Sequence, residues 1–284
     1  MKIPLSVIIL TYNEEIHIER LLKNISDLAD EIFIVDSFST DKTLEIAEKY
    51  NCKIVQHYFE NQAQQTNWAL DNLEIKNDWI LRLDSDEYLT EELKNEIAEI
   101  LLKIPSDING FHMKRRVYFM GRWIKHGDYY PIWFLRLWRK GFGRYEEREV
   151  DEHCILSMGK IQFLNFDFVD ENKNDLSWWI QRINNYTSRE IQARFREKKI
   201  DEGLKARFFG GSQAERKRWL RKNFYYKLPL FLRAFIYFFY RYIFRFGFLD
   251  GREGLIFHFL QGCWNQFLVD AKIYEKQKSI KAIK

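Results

Sequence analysis

Asp84, Asp86 and Glu87 put three carboxylates in four positions, directly behind the apolar run Trp79-Ile80-Leu81-Arg82-Leu83. Acids two residues apart repel unless a positive charge lies between them, and a hard divalent cation with oxygen ligands is the natural candidate. A short apolar run closed by polar residues reads as a buried strand reaching its exposed end. Carboxyl ends of parallel strands are where open α/β sheets bind ligands. Taken alone, the same residues equally fit a strand followed by the acidic first turn of a helix, because Thr90-Glu91-Glu92 opens a helical pattern.

The elements that must position these acids can be read outward from them. Leu5–Thr11, Glu31–Asp36, Lys53–His57 and Trp79–Leu83 are apolar, β-branched strand runs. Helical patterns separate and follow them: Ile16 to Ile25, with Asn13 as a cap, then Thr43–Tyr50, Gln62–Leu73 and Glu91–Lys103, ended by Pro105. Strand and helix alternating over the first 105 residues predict a parallel sheet with right-handed crossovers. Thr11-Tyr12-Asn13-Glu14, Asp36-Ser37 and Asp84-Ser85-Asp86 then fall on one sheet edge. There is no Gly-x-Gly-x-x-Gly after the first strand and no Gly-Lys-Ser/Thr loop, so the usual dinucleotide and P-loop cradles are missing. Residues 110–165 mix aromatics with Arg and Lys, broken by Gly121, Gly127 and Pro131, and predict a mixed extension of the sheet. A second acid cluster, Glu146 to Glu152 with His153, follows it.

Thr11-Tyr12-Asn13-Glu14, Val35-Asp36-Ser37-Phe38-Ser39-Thr40-Asp41 and Asp84-Ser85-Asp86, in this order and spacing, resemble glycosyltransferase family 2. Leu81 to Glu87 and Asn61 to Ala69 resemble the subgroup that includes lipopolysaccharide inner-core β-1,4-glucosyltransferases. The resemblance implies an α/β GT-A fold, a mixed sheet with helices on both faces, and inverting transfer from a nucleotide-diphosphate sugar. It implies that Thr11, Tyr12, Asn13, Glu14, Asp36 and Ser37 contact the nucleotide, with Asp36 facing the base. Asp84 and Ser85 would complete the donor site; Gln64, Gln65 and Asn67 fit hydrogen bonds to the donor sugar or pyrophosphate and equally the exposed face of a short helix. Asp86, with Asp84, would hold Mg²⁺ or Mn²⁺. The base would come from the second acid cluster, at Asp151 or Glu152. His153 is open as a metal or phosphate contact, and Arg136 and Arg139 as clamps on diphosphate or an anionic acceptor. Phe38 departs from the small residue common at its position and predicts a tighter base pocket. Arg82, on a buried strand, needs an acidic partner.

The charge balance divides the chain. The 284 residues carry a formal charge of +4, yet residues 1–180 hold 22 Lys and Arg against 32 Asp and Glu, whereas residues 181–284 hold 23 against 9. An acidic body joined to a basic, aromatic tail suggests a catalytic part, residues 1–170 (nucleotide half 1–105, acceptor half 106–170), and a surface-binding part, residues 171–284. Leu228–Leu249 is the most apolar stretch, interrupted by Arg233, Arg241 and Arg245. These arginines share one helix side, which predicts amphipathic C-terminal helices lying in a membrane interface with cations at the headgroups. Arg216, Lys217, Arg218, Arg221 and Lys222 add attraction to anionic lipid. Trp178, Trp179, Ile183, Tyr186 and Ile191 are the expected buried face of the helix after Leu176, and Ile256 to Tyr274 forms a second stripe. Internal packing or a homodimer would use the same faces.

The expected partners are therefore a nucleotide-sugar donor, a lipid-linked saccharide acceptor and an anionic membrane surface, at the inner face of the cytoplasmic membrane. Three scattered cysteines fit a reducing compartment, and Ser6–Leu10 is too short for a signal core. A sugar nucleotidyltransferase would need a Gly-rich, basic loop after the first strand. A non-enzymatic binder of nucleic acid would leave the acidic body without a use.

Overall fold

Along β1 (Ile3–Thr11) successive side chains point to opposite faces, and both faces are apolar. Leu5, Val7 and Ile9 enter one core, and Ile8 and Leu10 enter another. That two-sided burial demands helices above and below, as in other parallel sheets. The computed structural model describes residues 2–146, 152–196 and 212–282. They divide into one unit of residues 1–118 with 131–173 and another of residues 119–130 with 174–284.

The first unit continues through α1 (Ile18–Ile25), β2 (Ala29–Asp36), α2 (Thr43–Glu48), β3 (Lys53–Gln56), α3 (Gln62–Asn72), β4 (Trp79–Asp84), β5 (Glu87–Leu89), α4 (Glu91–Leu101) and β6 (Ile108–Phe119). The short β7 (Arg122–Ile124) lies in the second unit; β8 (Trp133–Arg139), β9 (Gly143–Tyr145), β10 (Cys154–Leu156) and β11 (Lys160–Glu171) complete the first. Its sheet runs β3-β2-β1-β4-β8-β6-β11-β5. The β3-β2-β1-β4 half is parallel, β8 pairs antiparallel with β4 and β6, and β11 is parallel to β6 and antiparallel to β5. The expected mixed α/β sheet is present. Ile18, Leu21, Leu22 and Ile25 of α1, Ala47 of α2, and Leu93 and Ile97 of α4 close one face, while Ala63 and Ala69 of α3 close the other.

Two local expectations change. Asn13 does not cap α1; the N-cap is His17, and Asn13 instead binds the loop after β2. Glu87 does not open a helix. Glu87, Tyr88 and Leu89 form β5, and Thr90 caps α4 through the Leu93 N–H.

In the second unit, α5 (Leu176–Arg196), α6 (Gln213–Asn223), α7 (Leu232–Phe239), α8 (Gly251–His258) and α9 (Asn265–Ala282) are helices. α7 continues as a π-helical segment, Tyr240–Phe244, and another, Phe259–Trp264, joins α8 to α9. Ile191 of α5 is buried as expected, but Trp178 and Tyr186 are exposed. The larger correction concerns the arginines. Arg233 is buried, and its Nε donates to Asp270 Oδ1 at 2.8 Å. Arg241 is buried, donates to the Gly127 carbonyl at 2.6 Å and lies over the Tyr129 ring at 3.8 Å. Arg245 donates to Asp128 Oδ1 at 2.7 Å. Each guanidinium meets an acceptor: Arg233 and Arg241 are buried among theirs, and Arg245 reaches Asp128 from an exposed position. No described helix is long and apolar enough to cross a membrane.

Candidate active site

Strand register brings the polar ends together. Thr11 lies opposite Asp36, Leu10 opposite Asp84, and Asp36 opposite Gln56, so one row crosses β4, β1, β2 and β3 at their carboxyl ends. Asp36 is fully buried and accepts from Thr11 Oγ1 (2.9 Å), Ser39 N (2.8 Å), Ser39 Oγ (2.5 Å) and Gln56 Nε2 (3.3 Å). Its carboxylate therefore folds the loop that follows it.

The loops after β1 and β2 are laced together. Asn13 N donates to Ser39 Oγ and Thr40 N donates to Asn13 Oδ1, both at 2.8 Å. Glu14 N donates to Thr43 Oγ1 at 2.7 Å. The Glu14 carboxylate lies 2.6 Å from Nδ1 of the buried His17, whose Nε2 accepts from Lys173 N at 2.8 Å. An accepting Nε2 places the proton of a neutral His17 on Nδ1, where it is donated to Glu14. Asn13 and Phe38 have positive φ, 54° and 62°, and these turns leave Tyr12 60% exposed and Phe38 40% exposed. The Phe38 ring packs 4.5 Å from that of Tyr58. The edge thus carries the exposed ring of Tyr12 beside the Phe38–Tyr58 pair.

Asp84 sits in a buried charge cluster. It accepts from Arg82 Nη1 (2.9 Å), Arg136 Nη2 (3.0 Å) and Gln62 Nε2 (2.9 Å), and Arg82 Nη2 lies 2.7 Å from its Oδ1. Arg82 finds its partner two residues along its own strand. Arg136 reaches Glu87 Oε1 as well, at 2.5 Å, and Glu87 Oε2 accepts from Asp84 N at 2.8 Å. Arg136 is therefore buried between two acids that both hold its guanidinium. Burial opposes the charge on Asp84, but Arg82 and Arg136 hold its carboxyl well below the usual range. Burial pushes the Glu87 carboxyl up to about 8 against the pull of Arg136, with the Asp84 charge adding to the rise. One acid stays ionised and its neighbour holds a proton more tightly.

Asp86 differs from both. It is half-buried at the turn between β4 and β5, and its Oδ2 accepts from Asn172 Nδ2 at 2.9 Å. Among the described residues nothing hydrogen-bonds its Oδ1. Its backbone carbonyl accepts from Arg20 Nη2 (2.9 Å) and Glu171 N (3.1 Å), which fixes the turn. The described residues contain no cluster of three or more His, Cys, Asp or Glu suited to a metal. A single hard carboxylate with a free oxygen fits a cation such as Mg²⁺, which is bound by one or two carboxylates and completed by substrate phosphates and water. The donor set thus suits Asp86 as the ligand and leaves Asp84 occupied by its arginines.

The other expected site residues separate. Ser37 N donates to the Thr11 carbonyl at 2.9 Å, and Ser37 Oγ accepts from Gln65 Nε2 at 3.2 Å. Gln64 is exposed on α3. Asn67 is buried and spends both ends of its amide on the Tyr145 backbone, at 3.0 and 2.9 Å, so it ties α3 to β9. Ser85 is buried. Glu152 is half-buried just before β10, and Asp151 lies outside the described residues. His153 pairs with the buried Glu146: its N–H donates to Glu146 Oε2 at 3.1 Å, and Glu146 N donates to its carbonyl at 3.0 Å. Arg20 and Asn172 carry no local signal in the sequence, since each lies far along the chain from Asp86; Gln62, which donates to Asp84, lies within the Asn61–Ala69 stretch.

Residues 6–173 match the model of Glycosyl transferase family 2. The chain belongs to that family. The matched stretch of this family 2 protein runs from inside β1 to just past β11 and takes in the whole carboxyl-edge row. An uncharacterised glycosyltransferase of Rickettsia bellii is 43% identical over 96 residues, 34% of this chain and 32% of that protein. The chain thus spans about a third of that relative's length. The lipopolysaccharide core biosynthesis glycosyltransferase LpsC of Rhizobium meliloti is 30% identical over 165 residues, 56% of this chain and 60% of LpsC. The solved structure of Staphylococcus aureus TarS with UDP-GlcNAc covers 97% of this chain and 92% of its own, with a TM-score of 0.50 at 18% identity, a likeness of fold alone.

Proposed function

We propose that this protein is an inverting, metal-dependent hexosyltransferase. It moves a hexose from a nucleotide-diphosphate sugar, in the first place a UDP-hexose, to a hydroxyl of a lipid-linked saccharide such as lipopolysaccharide core or another cell-envelope glycan. The observation that carries this reading is Asp86, a half-buried carboxylate with one oxygen uncommitted among the described residues, at the end of the Asp36–Thr11–Asp84 row inside the family 2 match. The name of LpsC supports the acceptor class.

In this reading residues 1–170 carry out transfer and residues 171–284 hold the enzyme, as a peripheral protein, to the anionic inner face of the cytoplasmic membrane. The Thr11–Glu14 and Asp36–Ser37 loops form the nucleotide side, with Tyr12 as an aromatic face, and Gln64 reaches the donor. Asp84, gripped by two arginines, sets the turn that presents Asp86. Asp86 would hold Mg²⁺ or Mn²⁺, which when bound neutralises charge developing on the leaving phosphates. Asp151 or Glu152 takes the acceptor hydroxyl proton as that oxygen attacks the anomeric carbon. The bond from the anomeric carbon to the diphosphate breaks, the nucleoside diphosphate leaves with the electron pair, and the configuration inverts.

A screen of nucleoside diphosphate release from UDP-, GDP- and dTDP-sugars, with a lipid-linked saccharide acceptor and with or without Mn²⁺, tests this. Turnover of one donor, dependent on acceptor and cation, is expected. A folded protein that turns over none of them contradicts the reading.

A further inference from the structure

The helix α7 and its π-helical continuation are built inside out. Leu232, Phe235, Ile236, Phe239, Ile243 and Phe244 are exposed and recur at spacings of three and four, the spacing of one helix face. Phe244 is 71% exposed. That face carries no charged side chain. The opposite face carries Arg233 and Arg241, both buried against acceptors within the same unit. Phe246, Phe248 and Leu249, which follow, Leu255 of α8 and Phe259 just after it are exposed as well. A soluble surface normally scatters its exposed apolar residues, and a continuous face of this size marks a docking site.

The charges around this face narrow the occupant. Between Arg216 and Tyr274, Arg216, Lys217, Arg221, Lys222, Lys227 and Arg252 are exposed, while Asp250 and Asp270 are buried and Glu253 is half-buried. No acid in that stretch is exposed, and the first exposed one beyond it is Glu275 of α9. A second copy would bring the same cations against these, whereas an anionic lipid surface complements them.

We infer that this aromatic face enters the acyl boundary of an anionic membrane, and that Arg233 and Arg241 are internal struts holding it outward and not headgroup ligands. The inference rests on the membrane-associated reading above and specifies how contact is made. Membrane attachment is then mainly apolar insertion, with the basic residues as an electrostatic guide.

Flotation of the full chain with phosphatidylethanolamine–phosphatidylglycerol vesicles tests it at about 0.1 M and about 1 M NaCl, where the screening length falls from about 10 to about 3 Å. Wild type is expected to float at both salts. The double variant Phe239→Asp, Phe244→Asp, both exposed positions, is expected to lose vesicle binding at least about tenfold while keeping the wild-type melting temperature and soluble-donor turnover. Phe244→Trp is expected to float and to show tryptophan quenching by lipids brominated on the acyl chain. Flotation that vanishes at high salt and is unaffected by the double variant overturns insertion but leaves membrane association standing. Failure of wild type to float at either salt overturns both. A lipid-free dimer, measured by light scattering and dissociated by the double variant, with no flotation of wild type, assigns the face to a second copy and overturns the inference. Donor turnover is read separately in every case, so loss of the transferase reading is distinguishable from loss of this one.

Discussion

At Asp84 two guanidinium groups meet a carboxylate that the motif alone would assign to a ligand. Removing Arg136 strands Glu87 and leaves Asp84 short of a counter-charge in a buried setting. Arg136→Met should lower the unfolding free energy by about 3–5 kcal/mol, the cost of breaking a buried pair, read as a lower urea midpoint. A clamp on substrate phosphate would behave differently, with the midpoint preserved and KM raised. The residue types in Asp84-Ser85-Asp86 announced a charged site, but not its division of labour. Asp84 and Asp86 look alike in sequence. They differ because Arg82 and Gln62 project to Asp84, whereas Asp86 lies past the strand end beside Asn172.

At the scale of elements, the parallel half of the sheet was legible because its strands are continuous apolar runs and each is followed by a helical stripe. The strand β5 was not, because three residues before a capped helix carry no period. Asn67 shows the same limit. A polar residue on a helix reads as exposed or functional, yet this one closes the α3–β9 contact. Asn67→Ala should cost about 1–3 kcal/mol, since it orphans the buried N–H and C=O of Tyr145, and should leave the KM for nucleotide sugar unchanged. A raised KM at unchanged stability would restore Asn67 to the donor site.

Glu31 links elements in another way. It lies buried in β2 and accepts from Ser6 Oγ of β1 at 2.7 Å, from Lys76 N at 3.1 Å and from Lys53 of β3. Burial alone would raise its pKa, but Lys53, Ser6 and the Lys76 N–H outweigh it and leave the carboxyl below its ordinary value of 4.5. A folded pKa below the unfolded one means that the unfolded chain binds more protons in between. Stability from Glu31 is therefore complete above about pH 4.5 and is lost as pH falls through that value toward the folded pKa. Glu31→Gln should lower stability at neutral pH and flatten the acid limb of a stability-against-pH curve. An acid limb as steep as wild type would remove Glu31 as its source.

For the whole molecule, composition sets an acidic body against a basic tail, while the chain divides into residues 1–118 with 131–173 and residues 119–130 with 174–284. Residues 119–130, read by sequence as part of the sheet extension, lie in the helical unit, where Gly127 and Asp128 receive Arg241 and Arg245. Periodicity showed that the tail arginines share a side, but not which way that side faces. The facing is decided by acceptors supplied from Asp270 and from the 119–130 segment, both distant in sequence. The family match shows a family 2 glycosyltransferase, and the edge row with the Asp86 oxygen left unbonded among the described residues supports the proposed cation-assisted transfer. The most direct test is nucleoside diphosphate release by wild type and Asp86→Asn, each with and without Mn²⁺, with melting temperature as the control. The account predicts cation-dependent turnover in wild type and a loss of about 10²–10³-fold in the variant at an unchanged melting temperature. Equal, cation-dependent turnover by a folded Asp86→Asn protein would contradict it.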